Sequence, residues 1–251
     1  MLNRFLKSFL VLSFVTLLSV PARSAEDTAK VVLPTQNGGG PNGVAWKKTE
    51  LATAASTTQD AAKPVEPKEK TELFNGKDMV GWVSHLKGDV AASKVWSVKD
   101  GLLLCTGKPN GYLRTETAYA NYKLTVEWRF AKAGNTGVLV HINGPDKVWP
   151  LCVECQGLHG AQGDMYFWSG SKAKELTKGV KVPRKAPDAE KPVGEWNTFQ
   201  VICVADTITI LVNGVEMNKT TGVSPTSGQV AIQCEGADLE VRRVAIEPPT
   251  P

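Results

Sequence analysis

Three histidines in 251 residues, none of them three or four apart, leave little from which to build a metal centre. The one Cys-x-x-Cys is formed by Cys152 and Cys155. A closed zinc site needs a second ligand pair, and the chain has none at the right spacing. Charge of one sign is also missing. The first 24 residues carry Arg4, Lys7 and Arg23 and no acid; without them the 29 basic residues fall to 26, against 25 acidic. Such a balance gives no electrostatic case for nucleic acid or an anionic membrane as partner. No amphipathic helix longer than two turns can be drawn, so the βαβ context that a thioredoxin-like redox motif needs is absent. The five cysteines follow no small disulfide scaffold, and their odd number leaves at least one outside any internal pair.

The chain opens MLNRFLKSFLVLSFVTLLSVPARSAED. Arg4 and Lys7 precede an apolar run from Phe9 to Val20, and small residues follow at Ala22, Ser24 and Ala25. This is the layout of a secretory signal peptide over residues 1–24, which predicts a periplasmic or secreted protein. The run is short for a membrane span, which takes about 20 residues, so no stable membrane insertion is expected after cleavage. Residues 25–70 are rich in Ala, Thr, Lys, Pro and Gly with almost no apolar period, and read as a flexible linker. Regular strand signals begin at Thr71 and end near Ile246. That defines one domain, residues 71–247, and a short tail, 248–251.

Within the domain, KLTVEWRF alternates cleanly. Leu124, Val126, Trp128 and Phe130 share one side; Lys123, Thr125, Glu127 and Arg129 share the other. GVLVHI places Val138, Val140 and Ile142 opposite Leu139 and His141. TFQVICVA and TITILVNGVEM form a further pair, and Asn213-Gly214 is a hairpin turn signal because both positions favour positive φ. Many short strands with Gly, Asn and Asp turns predict an all-β sandwich or barrel. In LCVECQ, Cys152 and Cys155 fall on opposite faces of a strand and cannot share a metal or a disulfide. Cys155 then reads as core. Asn75-Gly76 reads as a turn and Trp82 as core filling. Trp196 reads as packing before a strand, and His85 and His159 as loop residues.

If the strands carrying Glu127 and Arg129, His141, and Glu154 and Gln156 are neighbours, these side chains line one surface. Trp149, Tyr166 and Trp168 cluster nearby, and aromatic faces beside carboxylates and amides suit a sugar ring. A solvated outer face with a few ion pairs fits the spacing equally.

The segments ELFNGKDMVGW, NYKLTVEWRF, GNTGVLVHI, VWPLCVECQG, GDMYFW, GEWNTFQVICVADTITILVNG and GQVAIQCEG occur in this order. As a set they resemble the 3-keto-disaccharide hydrolase family. The resemblance implies a concanavalin A-like jelly roll of two antiparallel sheets with a carbohydrate site on the concave face. It also implies hydrolysis of glycosides already oxidised to a ketone at C3. By motif, Glu127 and Arg129 match the family's Glu-Trp-Arg pair, and Asn135 its Asn-Ser-Gly asparagine, with Thr136 in place of serine. Glu154 and Gln156 match its Glu-Val-Gln pair, with Cys155 in place of valine, and Asp164 matches the Gly-Asp step that follows.

A C3 ketone acidifies the C2 proton and sets the glycosidic oxygen β to the carbonyl. Cleavage needs a base at C2, stabilisation of charge at the C3 oxygen and a proton for the leaving group. His141 or Glu154 is the expected base. Arg129, or a divalent cation held by Glu127, Glu154 or Asp164, would stabilise the enolate. Gln156 and Asn135 would hold hydroxyls, and Trp149, Tyr166 or Trp168 the ring face. A glycosidase with paired carboxylates is the enzymatic rival. A non-catalytic carbohydrate-binding module, or a tethered surface protein, is the rival of another kind.

Overall fold

The computed structural model describes residues 63–88 and 90–249. The expected signal peptide and most of the expected linker lie outside the described residues. Among the described residues, fifteen strands and one short 3-10 turn, Ala92–Lys94, make up the regular structure. In chain order the first eight strands are β1 (Thr71–Glu72), β2 (Trp82–Leu86), β3 (Trp96–Lys99), β4 (Leu102–Cys105), β5 (Gly111–Thr115), β6 (Tyr122–Phe130), β7 (Gly137–Asn143) and β8 (Leu151–Gln156). The rest are β9 (Met165–Trp168), β10 (Lys181–Val182), β11 (Asn197–Val204), β12 (Thr207–Val212), β13 (Val215–Thr220), β14 (Gln229–Cys234) and β15 (Leu239–Glu247).

They form two antiparallel sheets. The eight-stranded sheet runs β13-β12-β11-β6-β15-β4-β3, with β1 also on β15; the seven-stranded sheet runs β10-β9-β8-β7-β14-β5-β2. The alternation predicts an all-β sandwich or barrel, and the resemblance implies this jelly-roll sandwich of two antiparallel sheets. The physical cause is plain in β6, where Leu124, Val126, Trp128 and Phe130 are all at most 3% exposed and its polar partners face outward. Trp128 stacks on Phe199 of β11 at 4.8 Å between centroids. Val138, Val140, Val153, Cys155, Met165, Ile232 and Cys234 supply the other wall of the same core. Truncating a buried aromatic such as Trp128 in this layer would cost about 3–5 kcal/mol. Asn213 and Gly214 take φ of 50° and 84°, the pair of positive values that the β12–β13 hairpin turn requires.

Three positions bear on which side chains reach which face. Cys152 and Cys155 do lie on opposite faces, Cys155 in the main core and Cys152 in a small second cluster with Tyr112, Leu139, Ile142 and Ala231. In β7 the register shifts between Val140 and Asn143, and His141 takes a φ of 55°. This bulge inserts one residue and reverses the faces beyond it. His141 therefore turns inward with Val140, edge-on to Tyr122 at 6.1 Å, and Ile142 turns outward. Finally, His85 is not a loop residue: it sits in β2 opposite Tyr112 of β5, with ring centroids 5.4 Å apart.

Candidate active site

The outer face of the seven-stranded sheet collects polar side chains from strands distant in sequence. Register sets them in two rows. One row runs Tyr166, Glu154, Leu139, Ala231, Arg114 and Val83 across β9, β8, β7, β14, β5 and β2. Beside it, Gln156 faces Gly137, and Gln233 faces Tyr112, which in turn faces His85. Gly137 is the low point between them. A Cβ there would lie 3.2 Å from Gln233 Oε1 and 3.3 Å from Glu154 Cγ, tighter than side chains ordinarily pack, so the glycine lets the carboxylate and the amide close over its backbone.

Glu154 is 2% exposed. Trp168 Nε1 donates to its Oε2 at 2.5 Å. Burial, helped by the negative charge of Glu235, pushes the carboxyl up to about 7, against the lowering effect of the Trp168 and Gln233 hydrogen bonds. Glu235 is half-buried and is itself raised by burial. Asn135 Nδ2 donates to Glu235 Oε2 at 2.9 Å, and Asn110 Nδ2 approaches Oε1 at 3.5 Å. Two buried acceptors here, Gln233 Oε1 and Asn135 Oδ1, have no partner among the described residues. Buried polar atoms without partners are uncommon and mark places where a ligand can supply the missing bond. Gln156 Oε1 accepts from the Leu158 N–H at 2.9 Å, which fixes the amide's orientation.

Arg114 closes one side. Its Nε and Nη2 donate to the two oxygens of Asp146 at 2.8 and 2.9 Å, and Tyr112 donates its hydroxyl to the same carboxylate at 2.8 Å. The aromatics close the other. Tyr166 and Trp168 stack nearly parallel, 8° apart, at 5.8 Å, and Trp149 lies 6.1 Å from Trp168 with 40% of its surface exposed. Lys181 caps Tyr166 at 5.5 Å and pairs with Asp164 at 2.6 Å.

Several residues expected together are apart. Glu127 and Arg129 stand on the outer face of the eight-stranded sheet, because β6 pairs with β11 and β15 while β7 crosses to the other sheet. There Glu127 pairs with Arg242 at 2.6 Å, and Arg129 with Glu240 at 2.6 Å. Trp196 lies between the Arg129 and Arg242 guanidiniums, 4.6 and 4.7 Å away. His141 faces the core, with Nδ1 2.8 Å from the Pro225 carbonyl, and burial pushes it down to about 4. Both orientation and charge state separate it from the outer face that carries Glu154. Asp164 reaches the seven-stranded face, but its oxygens are engaged by Lys181 and by the Arg184 N–H at 2.8 Å. The expected cation donors Glu127, Glu154 and Asp164 thus do not converge, and among the described residues no three His, Cys, Asp or Glu side chains are grouped to hold an ion.

The sequence reading missed Tyr112, Arg114, Asp146, Gln233 and Glu235. The strand GQVAIQCE held a usable signal: Gln229, Ala231, Gln233 and Glu235 alternate with Val230, Ile232 and Cys234, which sets Gln233 and Glu235 on the face away from the core.

The domain described as 3-keto-alpha-glucoside-1,2-lyase-like matches residues 69–247. A 3-keto-disaccharide hydrolase of Bacteroides thetaiotaomicron is 22% identical over 185 residues; the match covers 63% of this chain and 63% of the length of that relative. A protein of Parabacteroides distasonis described as a glycosyl hydrolase has a similar structure, with a TM-score of 0.56 at 23% identity over 72% of this chain and 94% of that one. The carbohydrate-binding module CBM66 of Bacillus subtilis shares the fold with a TM-score of 0.51 at 9% identity, over 68% and 97% of the two chains.

Proposed function

Because the chain belongs to the family of 3-keto-alpha-glucoside-1,2-lyase-like domains, we propose that it cleaves glycosides oxidised at C3, by elimination followed by addition of water. Glu154 carries this reading. A carboxylate raised to about 7 by burial, oriented by an indole N–H and packed against the backbone of Gly137, is a base matched to a neutral working pH. It takes the C2 proton. Electrons flow toward the C3 oxygen, whose charge is met by amide donors of the face, Gln156 the nearest in the rows. Glu235, raised by burial, returns a proton to the departing C1 oxygen. Water then adds at C1 of the unsaturated ketone and gives the free 3-keto sugar. Trp168, Tyr166 and Trp149 carry the ring face. The basic residues, apolar run and small residues of positions 1–24 support reading this chemistry as periplasmic or extracellular.

One observation favours a second reading, a carbohydrate-binding module. Glu127, Arg129 and His141 do not join the face, and Arg114 is held in a bidentate pair with Asp146, an arrangement suited to positioning. One experiment separates the two: turnover of a 3-keto-glucoside beside the same glucoside unoxidised, for the native chain and Glu154→Gln. Elimination at Glu154 requires cleavage of the keto form only, with kcat rising as pH passes about 7. The variant should lose about 10²–10⁴-fold in kcat with its fold intact. Saturable sugar binding without cleavage of either form would establish the module instead, and full activity of the variant would remove Glu154 as base.

A further inference from the structure

Two of the five cysteines come from different sheets and meet at one crossing. Cys105 ends β4 of the eight-stranded sheet, and Cys234 ends β14 of the seven-stranded sheet. Two residues after each comes a glycine, and the two glycines are bonded: Gly236 N–H donates to the Gly107 carbonyl at 2.6 Å. The approach is so close that a Cβ on Gly107 would lie 2.3 Å from the Ala237 nitrogen. Both cysteine side chains enter the main core, 4% and 1% exposed. Gly107 N–H donates to Cys105 Sγ at 3.4 Å and Cys234 Sγ donates to the Pro109 carbonyl at 3.3 Å. Each thiol is also the main influence on the other's titration, Cys234 lowering Cys105 and Cys105 raising Cys234. The other three cysteines are placed differently. Cys152 is on the far face of its sheet, and Cys155 and Cys203 are deep in the core against Tyr122.

We propose that Cys105 and Cys234 are a thiol pair built to close as a disulfide joining the two sheets. Both S–H bonds break and one Sγ–Sγ bond forms. The two protons and two electrons pass to a disulfide oxidant, which becomes two thiols. The link closes a loop of well over 100 residues, the kind whose closure restricts the unfolded chain most. It anchors β14 one residue before Glu235, so the strand carrying Gln233 and Glu235 is tied to the opposite sheet at the edge of the candidate site. An exported chain would meet such oxidants as it folds, before the thiols are buried.

The full chain, equilibrated in buffers of reduced and oxidised glutathione, alkylated and mapped by peptide mass spectrometry, tests this without reference to any activity. At oxidising ratios one cross-linked peptide pair should join Cys105 to Cys234, with Cys152, Cys155 and Cys203 alkylated. The thermal midpoint should rise by about 5–10 °C over the reduced protein. Cys105→Ser and Cys234→Ser should each abolish that rise, and Cys152→Ser should leave it. Five alkylated thiols at the most oxidising ratio, or a cross-link through any of the other three, overturns the pairing. Mapping of the native chain decides the matter even if a serine variant fails to fold.

Discussion

Glu154 and His141 are both buried and both titrate far from their ordinary values, but they bend stability in opposite directions. Glu154 is raised from 4.5 to about 7, so the unfolded chain gives up its proton first as pH rises. Its contribution is complete below pH 4.5 and is lost as pH climbs toward 7, about 3 kcal/mol in all. His141 is lowered from 6.5 to about 4, so the unfolded chain takes up a proton first as pH falls. Its contribution is complete above pH 6.5 and is lost on the way down to 4, again about 3 kcal/mol. Between pH 4.5 and 6.5 the two slopes oppose each other. Urea unfolding at stepped pH should therefore show little change from this pair in the native chain. Glu154→Gln removes the falling slope, and its stability should rise by about 2–3 kcal/mol from pH 4.5 to 6.5. An unchanged slope in the variant would mean that Glu154 is not held protonated by burial. The same protonation equilibrium sets the working range of the proposed base. The enzyme would be most active where Glu154 is ionised and the fold is least helped by it, a conflict common at sites built for chemistry.

At the scale of elements, the decisive facts are which sheet a strand joins and where its alternation breaks. Alternation in β6 was readable, and its inward residues form the core as expected. Its sheet was not, because pairing with β11 and β15 is made with segments some 70 to 120 residues away, and no local pattern encodes it. Glu127 and Arg129 therefore fell on the wrong face in the sequence reading. The bulge in β7 was hidden for another reason. A single residue at positive φ reverses the faces, and histidine, although enriched among non-glycine residues there, adopts that conformation too rarely to mark a bulge in sequence. By contrast Gly134-Asn135-Thr136-Gly137 was legible as a unit, and each position has a cause. Gly134 packs on Ala237, Asn135 holds Glu235, Thr136 Oγ1 donates to the Gln233 carbonyl at 2.7 Å, and Gly137 lets Glu154 and Gln233 approach its backbone. The split between sheets makes a direct prediction. Glu127→Gln should leave kcat and KM for the keto sugar within about twofold of native, and should change stability by no more than about 1 kcal/mol, since it breaks only half-exposed ion pairs. A loss of turnover comparable to that of Glu154→Gln would return Glu127 to the chemistry and contradict the placement of β6.

For the molecule as a whole, the two sheets divide the labour of their outer faces. The eight-stranded sheet is covered by ion pairs: Glu72 with Arg243, Glu127 with Arg242, Arg129 with Glu240 and Lys123 with Glu247. The seven-stranded sheet holds stacked aromatics, amides and carboxyls raised by burial. Its charged groups are either paired, as Arg114 is with Asp146 and Lys181 with Asp164, or carboxyls that burial holds above their ordinary range. The near-balance of 26 basic and 25 acidic residues beyond position 24 adds no long-range field of either sign. A neutral sugar recognised by stacking and hydrogen bonds on such a face should bind with little regard to ionic strength, because screening acts only on exposed charges separated by more than about 8–10 Å. Raising sodium chloride from about 50 to 500 mM at constant pH should shift KM for a neutral 3-keto-glucoside by less than about twofold. A fall in affinity of tenfold or more over that range would show that a charged group on the ligand, or an unpaired charge on the protein, dominates recognition. The substrate would then have to be sought among anionic or cationic sugars, with Lys181 and Arg114 as the first side chains to replace.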